Sequence, residues 1–498
     1  MDITTPVTND CVALVDGPQI LDALERALWD AREYIYITAW MIHPTLKLGQ
    51  YSLFQLLQKK VGEGVDVRIL LSDVNPTMRS SASDRSKLHI IEHWEHRRVK
   101  RLNDHGIQTH LSTLPVRGLI ARWIVTKVSR LLGYSIRLAA HHQKSVVVDG
   151  KVGFCLGSDL VHLICYPARW HEAAVMVRGR GVLGLEQNFV YRWNCEAVSA
   201  GFAPISRSLA SVIASKTIMT LKTIPRFLCP TTEIREAYCA AIREAKRTIY
   251  IQNQYFRDPK IAEVLIASIR RGVSVCIILP NLPEEIRLED GHIMSLANSI
   301  SMFAQYRLLK SLIEQDTTGL HDGISTVIRL KEERPKNLEI LYPPEDRDLY
   351  IHSKLMIVDE FITLIGSANI NGRSMSGKCD TEMNLCIKSR EFAIQIKDKL
   401  SQSLEKSGLI AYDVTALARD ERMSRINEAQ LRQVINVIRQ QSTLLCETVV
   451  PNWLPRSMRT RLVTIGEKAM CQFVIAFLNA TDASSFRTRL TNLALDFI

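Results

Sequence analysis

The chain has 498 residues, of which 46% are hydrophobic, so it can form two or three domains with sizeable cores. Its 63 Lys and Arg residues exceed its 52 Asp and Glu residues and give a formal charge of +11, which favours anionic partners such as acidic lipid or nucleic acid. The 11 cysteines never form a Cys-x-x-Cys pair, so we expect reduced thiols and no zinc site. The sequence contains no apolar run of about 18 residues and no signal-peptide or lipid-anchor pattern, so any membrane contact is expected to be peripheral.

The first elements in chain order form a unit that occurs twice. Residues 34–37 are Tyr-Ile-Tyr-Ile and residues 248–251 are Thr-Ile-Tyr-Ile, and both segments predict a buried strand. An apolar helical face precedes each strand, and Asp16-Gly17-Pro18 is typical of a helix start. A second helix and strand follow in each half and end at 64–71 and 272–279. The apolar positions that predict the first helix are Ile20, Leu21, Leu24 and Leu28 in one half and Ile234, Tyr238, Ala241 and Ile242 in the other.

The repeat predicts an α/β fold in which each half has a largely parallel sheet flanked by helices. We divide the chain into a first half at 1–205, a second half at 206–400 and a helical C-terminal region at 401–498. Pro204 and Pro225 interrupt regular periodicity near the join of the halves.

Each half also contains the pattern His-x-Lys-x-x-x-x-Asp, at equivalent places of the repeat. Alternate residues on a strand share a face, so the His and Lys of each copy are expected to face one cleft. Imidazoles can act as nucleophile or proton carrier, and ammonium groups neutralise charge on phosphoryl oxygens, so the paired motifs suit phosphodiester chemistry. The two copies are His142, Lys144 and Asp149, and His352, Lys354 and Asp359.

Two further features follow each motif. A turn of small residues occupies 156–159 (Leu-Gly-Ser-Asp) and 366–369 (Gly-Ser-Ala-Asn), where glycine allows close approach and Ser or Asn can donate to a phosphoryl oxygen. Glu172 follows His142 by 30 positions, and Glu382 follows His352 by 30 positions. This equal spacing makes the two glutamates candidates for orienting the histidines and separating their pKa values.

The motifs carry a resemblance to a known family. His352 to Asp359, together with 365–375 (Ile-Gly-Ser-Ala-Asn-Ile-Asn-Gly-Arg-Ser-Met), closely resembles the second catalytic motif of eukaryotic-type phospholipases D. Four other segments, which extend the resemblance over most of 10–400, are His141-His142-Gln143-Lys144, Trp170-His171-Glu172, Arg192-Trp193-Asn194 and 249–256. The chain departs from the family at Leu156, where a glycine is usual, so the shape of that side of the pocket is expected to differ.

The resemblance implies two pseudo-repeated α/β sandwich halves that share one active site, and a two-step reaction through a phosphohistidine without metal or cofactor. By analogy His142 attacks and His352 acts as acid and base, although the sequence does not distinguish this order from the reverse. The predicted catalytic residues are His142, Lys144, His352, Lys354, Glu172 and Glu382; the predicted substrate-binding residues are Asp159, Ser367 and Asn369; and Asp149 and Asp359 are expected to brace the fold.

The resemblance favours phospholipase D activity, which converts phosphatidylcholine or a related phospholipid to phosphatidate and free headgroup and also allows transfer to alcohols. The alternatives are a phosphatidyltransferase similar to cardiolipin or phosphatidylserine synthase, a nuclease, and a membrane-binding scaffold without activity. An aromatic content of 7% disfavours the nuclease, and the intact motifs disfavour the scaffold.

The expected partners are a phospholipid substrate and an anionic membrane surface, with no nucleic acid, and the expected state is a monomer. Residues 117–137 are basic and contain Trp123, so they predict either a membrane-surface helix or a helix packed on the core. Trp453-Leu454-Pro455-Arg456 is a second candidate for membrane contact, although a surface turn before a helix is the favoured interpretation. We expect a cytoplasmic, peripherally membrane-associated protein without the lipid-targeting modules of many eukaryotic members; a secreted bacterial effector in host cytosol is the alternative.

Overall fold

The computed structural model describes residues 11–72, 99–112, 140–161, 170–206, 217–225, 230–280, 305, 308–315, 317, 335–344, 349–377, 380–405 and 408–411. The two candidate membrane segments, at 117–137 and around Trp453, lie outside these residues, as does most of the predicted helical C-terminal region. Within the described ranges, no helix is long and apolar enough to cross a membrane.

The first half contains a seven-stranded sheet, one separate strand pair and one further short strand. Its strands are β1 (Cys11–Val15), β2 (Tyr34–Ala39), β3 (Lys47–Leu48), β4 (Tyr51–Ser52), β5 (Asp66–Ser72), β6 (Gln108–Ser112), β7 (Ser145–Val148), β8 (Val152–Leu156), β9 (Trp170–His171) and β10 (Ala173–Arg178). The sheet order is β1-β10-β8-β7-β2-β5-β6, and β3 pairs with β4. The helices of this half include α1 (Asp16–Asp30), α2 (Leu53–Gly62) and α3 (Leu183–Glu196), with 3-10 turns at Gly179–Val182 and Val198–Ala200.

The second half repeats this sheet and extends it at both edges. Its strands are β11 (Ile218–Ile224), β12 (Thr231–Thr232), β13 (Thr248–Asn253), β14 (Ser274–Ile278), β15 (Leu338–Tyr342), β16 (Tyr350–Ile351), β17 (Lys354–Val358), β18 (Ile362–Gly366), β19 (Glu382–Lys388) and β20 (Ile410–Ala411). The order β12-β11-β19-β18-β17-β13-β14-β15-β20 contains the same seven-strand sequence as the first sheet. The helices here include α4 (Glu233–Glu244), α5 (Pro259–Arg270), the short α6 (Gly372–Met375) and α7 (Arg390–Glu405).

The predicted early elements are confirmed. Helix α1 begins at Asp16 and buries Ile20, Leu24 and Leu28, and α4 buries all four of its predicted apolar positions. Strands β2, β5, β13 and β14 lie where the sequence predicts them. The limits of the three predicted regions remain a prediction.

The prediction of a largely parallel sheet is wrong. Only β2, β5 and β6 are parallel to one another in the first sheet, and β13, β14 and β15 in the second; the motif strands and their neighbours are antiparallel. Three residues join β7 to β8, and another three join β17 to β18. A connection of this length is too short for the crossover that parallel strands need.

Both faces of the central strands of each sheet are buried, which explains why these strands are apolar without alternation. In β2, Ile35 and Ile37 pack on the helices of their own half, whereas Tyr34 and Tyr36 join a second core. That second core also contains Leu355 from β17 and residues from α3 and α7, so it is shared between the halves. The two halves therefore pack sheet towards sheet, with a continuous apolar layer between them.

The aspartate of each motif lies directly after its strand and binds the backbone at the start of a neighbouring strand. The carboxylate of Asp149 accepts hydrogen bonds from the N–H groups of 32, 33 and 34 at 2.8 to 2.9 Å, and that of Asp359 accepts from 246, 247 and 248 over the same distances. Both aspartates have a positive φ of 51°, which Asp tolerates better than most residues. These N–H groups lower the pKa of Asp359 although its partial burial opposes that shift.

We predict that Asp149→Ala lowers the free energy of unfolding by about 2–4 kcal/mol, because three N–H groups lose a charged acceptor. Asp30→Ala, the same deletion at an exposed site at the end of α1, is the matched control. Urea denaturation measures both, and equal small effects would contradict a bracing role for Asp149.

Candidate active site

The two motif histidines lie just ahead of their strands rather than on them, where each segment pairs with the other half. The His142 N–H donates to the Thr381 carbonyl at 2.9 Å, and the His352 N–H donates to the His171 carbonyl at 3.0 Å. Strand β16 pairs in parallel with β9 of the first half, immediately before His352. Main-chain hydrogen bonds between the halves therefore position both histidines.

The carboxylates that hold the histidines are exchanged between the halves. Nδ1 of His142 lies 2.9 and 3.0 Å from the two carboxyl oxygens of Glu382, and Nδ1 of His352 lies 2.5 Å from Oε2 of Glu172. Both glutamates are fully buried. In each pair the Nδ1 atom is engaged, so Nε2 is the nitrogen left for chemistry.

The motif lysines lie beside the histidines. Lys144 Nζ donates to the His142 carbonyl at 2.9 Å and lies 3.6 Å from Oδ2 of Asp159. Lys354 Nζ donates to the His352 carbonyl and to Oε1 of Gln254, the latter at 3.2 Å. Both ammonium groups are buried, which strengthens their attraction for an anion.

The environments of the two carboxylates differ at one equivalent position. Gly157 and Ser367 are each 15 residues after their motif histidine. The Ser367 hydroxyl donates to Glu382 at 2.5 Å, and Ser374 adds a second hydroxyl at 2.7 Å. In the first half a Cβ on Gly157 would lie 2.3 Å from Oε1 of Glu172, and that oxygen accepts from the Ala173 N–H instead.

Burial and the neighbouring charges shift the pKa values of all four groups. Burial and the Lys144 ammonium lower the pKa of His142 to about 3, and burial and the Lys354 ammonium lower the pKa of His352 to about 3. Each lysine also lowers the pKa of the histidine in the other half, so the two motifs form one electrostatic site.

The two glutamates shift in opposite directions. Burial raises the pKa of Glu382 to about 7, and the lysines and serine hydroxyls offset only part of this effect. Burial would also raise the pKa of Glu172, but His352 and Lys354 outweigh it and the net pKa is lowered. The His142–Glu382 pair therefore holds an exchangeable proton near neutral pH, whereas Glu172 is ionised.

The predicted substrate-binding residues are not equivalent. Oδ1 of Asp159, which we expected to help bind phosphate, accepts from the Trp40 and Met41 N–H groups at 2.9 and 3.2 Å. Ser367 is committed to Glu382. The side-chain oxygen of Asn369 is buried and has no hydrogen-bond partner among the described residues, so Asn369 is the most available of the three.

Sequence reasoning missed several contacts. The ring of Trp170 stacks on His352 with centroids 3.9 Å apart, and Asp380, which occupies the equivalent place in the second half, raises the pKa of His142. Ser374 and Gln254 bind Glu382 and Lys354 respectively; both lie in segments that carry the family resemblance, 365–375 and 249–256, but neither is among the predicted site residues. The repeat register, with an offset of 210 residues, would have aligned Trp170 with Asp380, but it carries no signal for Ser374.

The chain is similar to known proteins in sequence and in fold. A family model described as "Cardiolipin synthase, PLD-like domain" matches residues 238–404. Cardiolipin synthase A of Pseudomonas putida (strain GB-1) is 25% identical over 80% of this chain and 69% of its own length. Phospholipase D alpha 4 of Arabidopsis thaliana is 25% identical over 72% of this chain and 59% of its own length.

The family model and the named relatives support the phospholipase D superfamily for this chain. The crystal structure of phosphatidylserine synthase from Haemophilus influenzae Rd KW20 has the same fold, with a TM-score of 0.55 and 12% identity over 93% of this chain and 94% of that chain. The expected α/β fold of the phospholipase D type is thereby confirmed. The chain is an enzyme of this type, and the relatives named above are phospholipid-modifying enzymes.

We predict that Glu382→Gln removes a pH dependence of stability. The folded chain binds a proton at Glu382 with a pKa of about 7, above the ordinary value of 4.5, so the contribution of Glu382 to stability is greatest below 4.5 and is lost as the pH rises through 7. The loss is on the order of 3 kcal/mol, and the glutamine variant should lack it. Urea unfolding between pH 5 and 8 measures this slope.

Glu172→Gln is the matched control for this slope. The pKa of Glu172 is lowered, so its contribution is present above 4.5 and is lost only at lower pH. It should leave the slope between pH 5 and 8 as in the wild type, and equal slopes in all three proteins would refute the assignment to Glu382.

We predict that Gly157→Ala lowers kcat by roughly 10²-fold, because the added methyl group displaces Glu172 and with it His352. Gly62→Ala, at a site with open space around it, is the control and should leave kcat unchanged. Turnover of phospholipid in mixed micelles measures both; an unchanged kcat in Gly157→Ala would show that the Glu172 contact is dispensable.

Proposed function

We propose that the chain is a phospholipase D that cleaves phosphatidylcholine or a related phospholipid to phosphatidate and free headgroup. The observation that carries this proposal is the pair of buried histidines, each held at Nδ1 by a glutamate of the other half and flanked by a lysine. The names of the phospholipase D relatives support the choice of a phospholipid.

The proposed reaction has two steps. In the first, Nε2 of one histidine attacks phosphorus, the bond from phosphorus to the headgroup oxygen breaks, and the other imidazole, protonated at that stage, gives its proton to this oxygen. In the second, that imidazole takes a proton from water, whose oxygen attacks phosphorus and releases the first histidine with phosphatidate. Lys144 and Lys354 neutralise the charge that develops on the phosphoryl oxygens, and the Nδ2 amide group of Asn369 is the proposed neutral donor to them.

The environments of the histidines bear on which one attacks. The family resemblance assigns the attack to His142, whereas the proton held between His142 and Glu382 favours His142 as the acid and His352 as the nucleophile. The attacking residue retains the phosphatidyl group when the second step is blocked. Each single histidine variant is therefore denatured with detergent at alkaline pH, where the P–N bond survives, and mapping of the phosphohistidine distinguishes the two orders.

Aromatic rings beside the histidines support a headgroup that carries a quaternary ammonium. The partly exposed ring of Trp40 lies 6.4 Å from the ring of His142, and the partly exposed ring of Trp170 stacks on His352. Such rings attract cations through their faces. The net charge of +11 supports action at an anionic membrane surface.

A second candidate is phosphatidyl transfer to a lipid alcohol, as the names of the cardiolipin synthase and phosphatidylserine synthase relatives suggest. Both candidates use the same covalent intermediate and differ only in the acceptor of the second step. The acceptor is therefore the property to measure.

We predict that the protein, incubated with phosphatidylcholine vesicles and 1-butanol, releases choline and forms phosphatidylbutanol. His142→Asn and His352→Asn should each lower turnover by roughly 10³-fold or more, because each removes a nucleophile or a proton carrier. His105→Asn, at an exposed histidine far from both motifs in sequence, is the control and should keep full activity.

Phosphatidylglycerol vesicles test the second candidate in parallel. Formation of cardiolipin and glycerol, with little choline released from phosphatidylcholine, would replace the hydrolase by the transferase. Full turnover in either histidine variant would contradict the shared mechanism.

A further inference from the structure

A cluster of three polar side chains lies behind the Glu172–His352 pair and contains none of the residues assigned to the reaction. Nδ1–H of His171 donates to Oδ1 of Asp16 at 2.9 Å, and the Ser403 hydroxyl donates to Oδ2 of Asp16 at 2.5 Å. The cluster joins α1, β9 and α7, which are far apart in sequence.

Asp16 is the centre of this cluster and holds the backbone of Glu172 from both sides. Its Oδ1 accepts from the Glu172 N–H at 3.2 Å, and its own N–H donates to the Glu172 carbonyl at 2.9 Å. The φ of Asp16 is 62°, in the left-handed region that few side chains adopt, so the surrounding contacts maintain this conformation. Burial would raise the pKa of Asp16, but His171 and Ser403 outweigh it and keep the carboxylate ionised.

His171 and Glu172 in turn hold His352 in two ways. The His171 carbonyl accepts from the N–H groups of His352 and Ser353 at 3.0 and 3.1 Å. The Glu172 carboxylate binds His352 Nδ1 at 2.5 Å. One dipeptide thus fixes both the backbone and the ring of His352, and Asp16 fixes that dipeptide.

Helix α7 brings Ser403 to Asp16 and is itself anchored on the first half. Lys399 donates to the Ala13 carbonyl at 2.7 Å, and the Ala13 N–H donates to Gln395 at 3.1 Å. Ser403 is one turn beyond Lys399 on the same face of the helix.

We propose that Asp16 and Ser403 are positioning residues for His352, acting through Glu172 and the His171 backbone. Their expected effect on turnover rests on the proposed function, whereas their effect on the position of the His352 ring does not. Neither residue touches the substrate, so their loss changes the placement of the imidazole and lowers kcat with little change in KM.

The test compares Ser403→Ala and Asp16→Asn with Ser401→Ala, an exposed serine on the same helix. Asparagine tolerates positive φ, so Asp16→Asn removes the charge without adding backbone strain. Spectra of protein labelled with ¹⁵N-histidine report the Nδ1–H signal of His352, which is identified by its absence in His352→Asn.

We expect this signal to move upfield and to exchange faster with water in Ser403→Ala, and to do so more in Asp16→Asn. Turnover should fall about 5-fold and about 10-fold respectively, with KM within about 2-fold of the wild type. Ser403→Thr, which keeps the hydroxyl, should restore both readouts, and Ser401→Ala should change neither.

An unchanged Nδ1–H signal in Ser403→Ala would overturn the proposal, even if Asp16→Asn failed to fold. A wild-type protein that turns over no phospholipid would refute the proposed function alone, because the signal of His352 is measured without substrate.

Discussion

The exchange of carboxylates between the halves is the interaction on which the rest of the structure depends. Each histidine needs a glutamate that its own half does not supply, so neither half contains a complete pair. The sheets, the shared core and the short strands at the junction therefore have to place two buried carboxyl groups within hydrogen-bond distance of two rings. Because an unpaired buried carboxylate is costly, correct docking of the halves and formation of the site are one event.

The apolar layer between the sheets allows the two halves to pack in only one relative position. Tyr36 and Val147 from the first sheet and Leu355 from the second contribute to one core, so a sliding motion between the halves would expose or crowd large side chains. Helix α7 adds a second attachment, since it follows the last strand of the second sheet repeat and yet binds β1 and α1 of the first half. The catalytic geometry is thus supported by packing on one side and by polar contacts on the other.

Much of this arrangement could be predicted from the sequence, because the same local sequence patterns occur in both halves. Burial periodicity identified α1, α4 and the strands β2 and β13, and the motif spacing identified both histidines, both lysines and both glutamates as one set of residues. The sequence could not show that Glu172 serves His352 and Glu382 serves His142, because equal spacing from each motif is compatible with either pairing. The alternation of helices and strands also predicts the wrong strand direction, because it does not reveal that the three-residue turns beginning at Asp149 and Asp359 form hairpins. Ser403 and Asp16 are 387 positions apart, and no local pattern links them.

The crossed pairs have the geometry of a twofold symmetric dimer. If a second copy of the first half replaced the second half, each copy would offer its glutamate to the histidine of its partner. In such a dimer the two His–Glu pairs would have the same residue next to the carboxylate. Joining the copies in one chain removes that constraint, and here Gly157 and Ser367 have diverged. A single polypeptide can therefore give its two imidazoles different surroundings before substrate binds. In a pair of identical subunits the two imidazoles would become different only when an asymmetric substrate was bound.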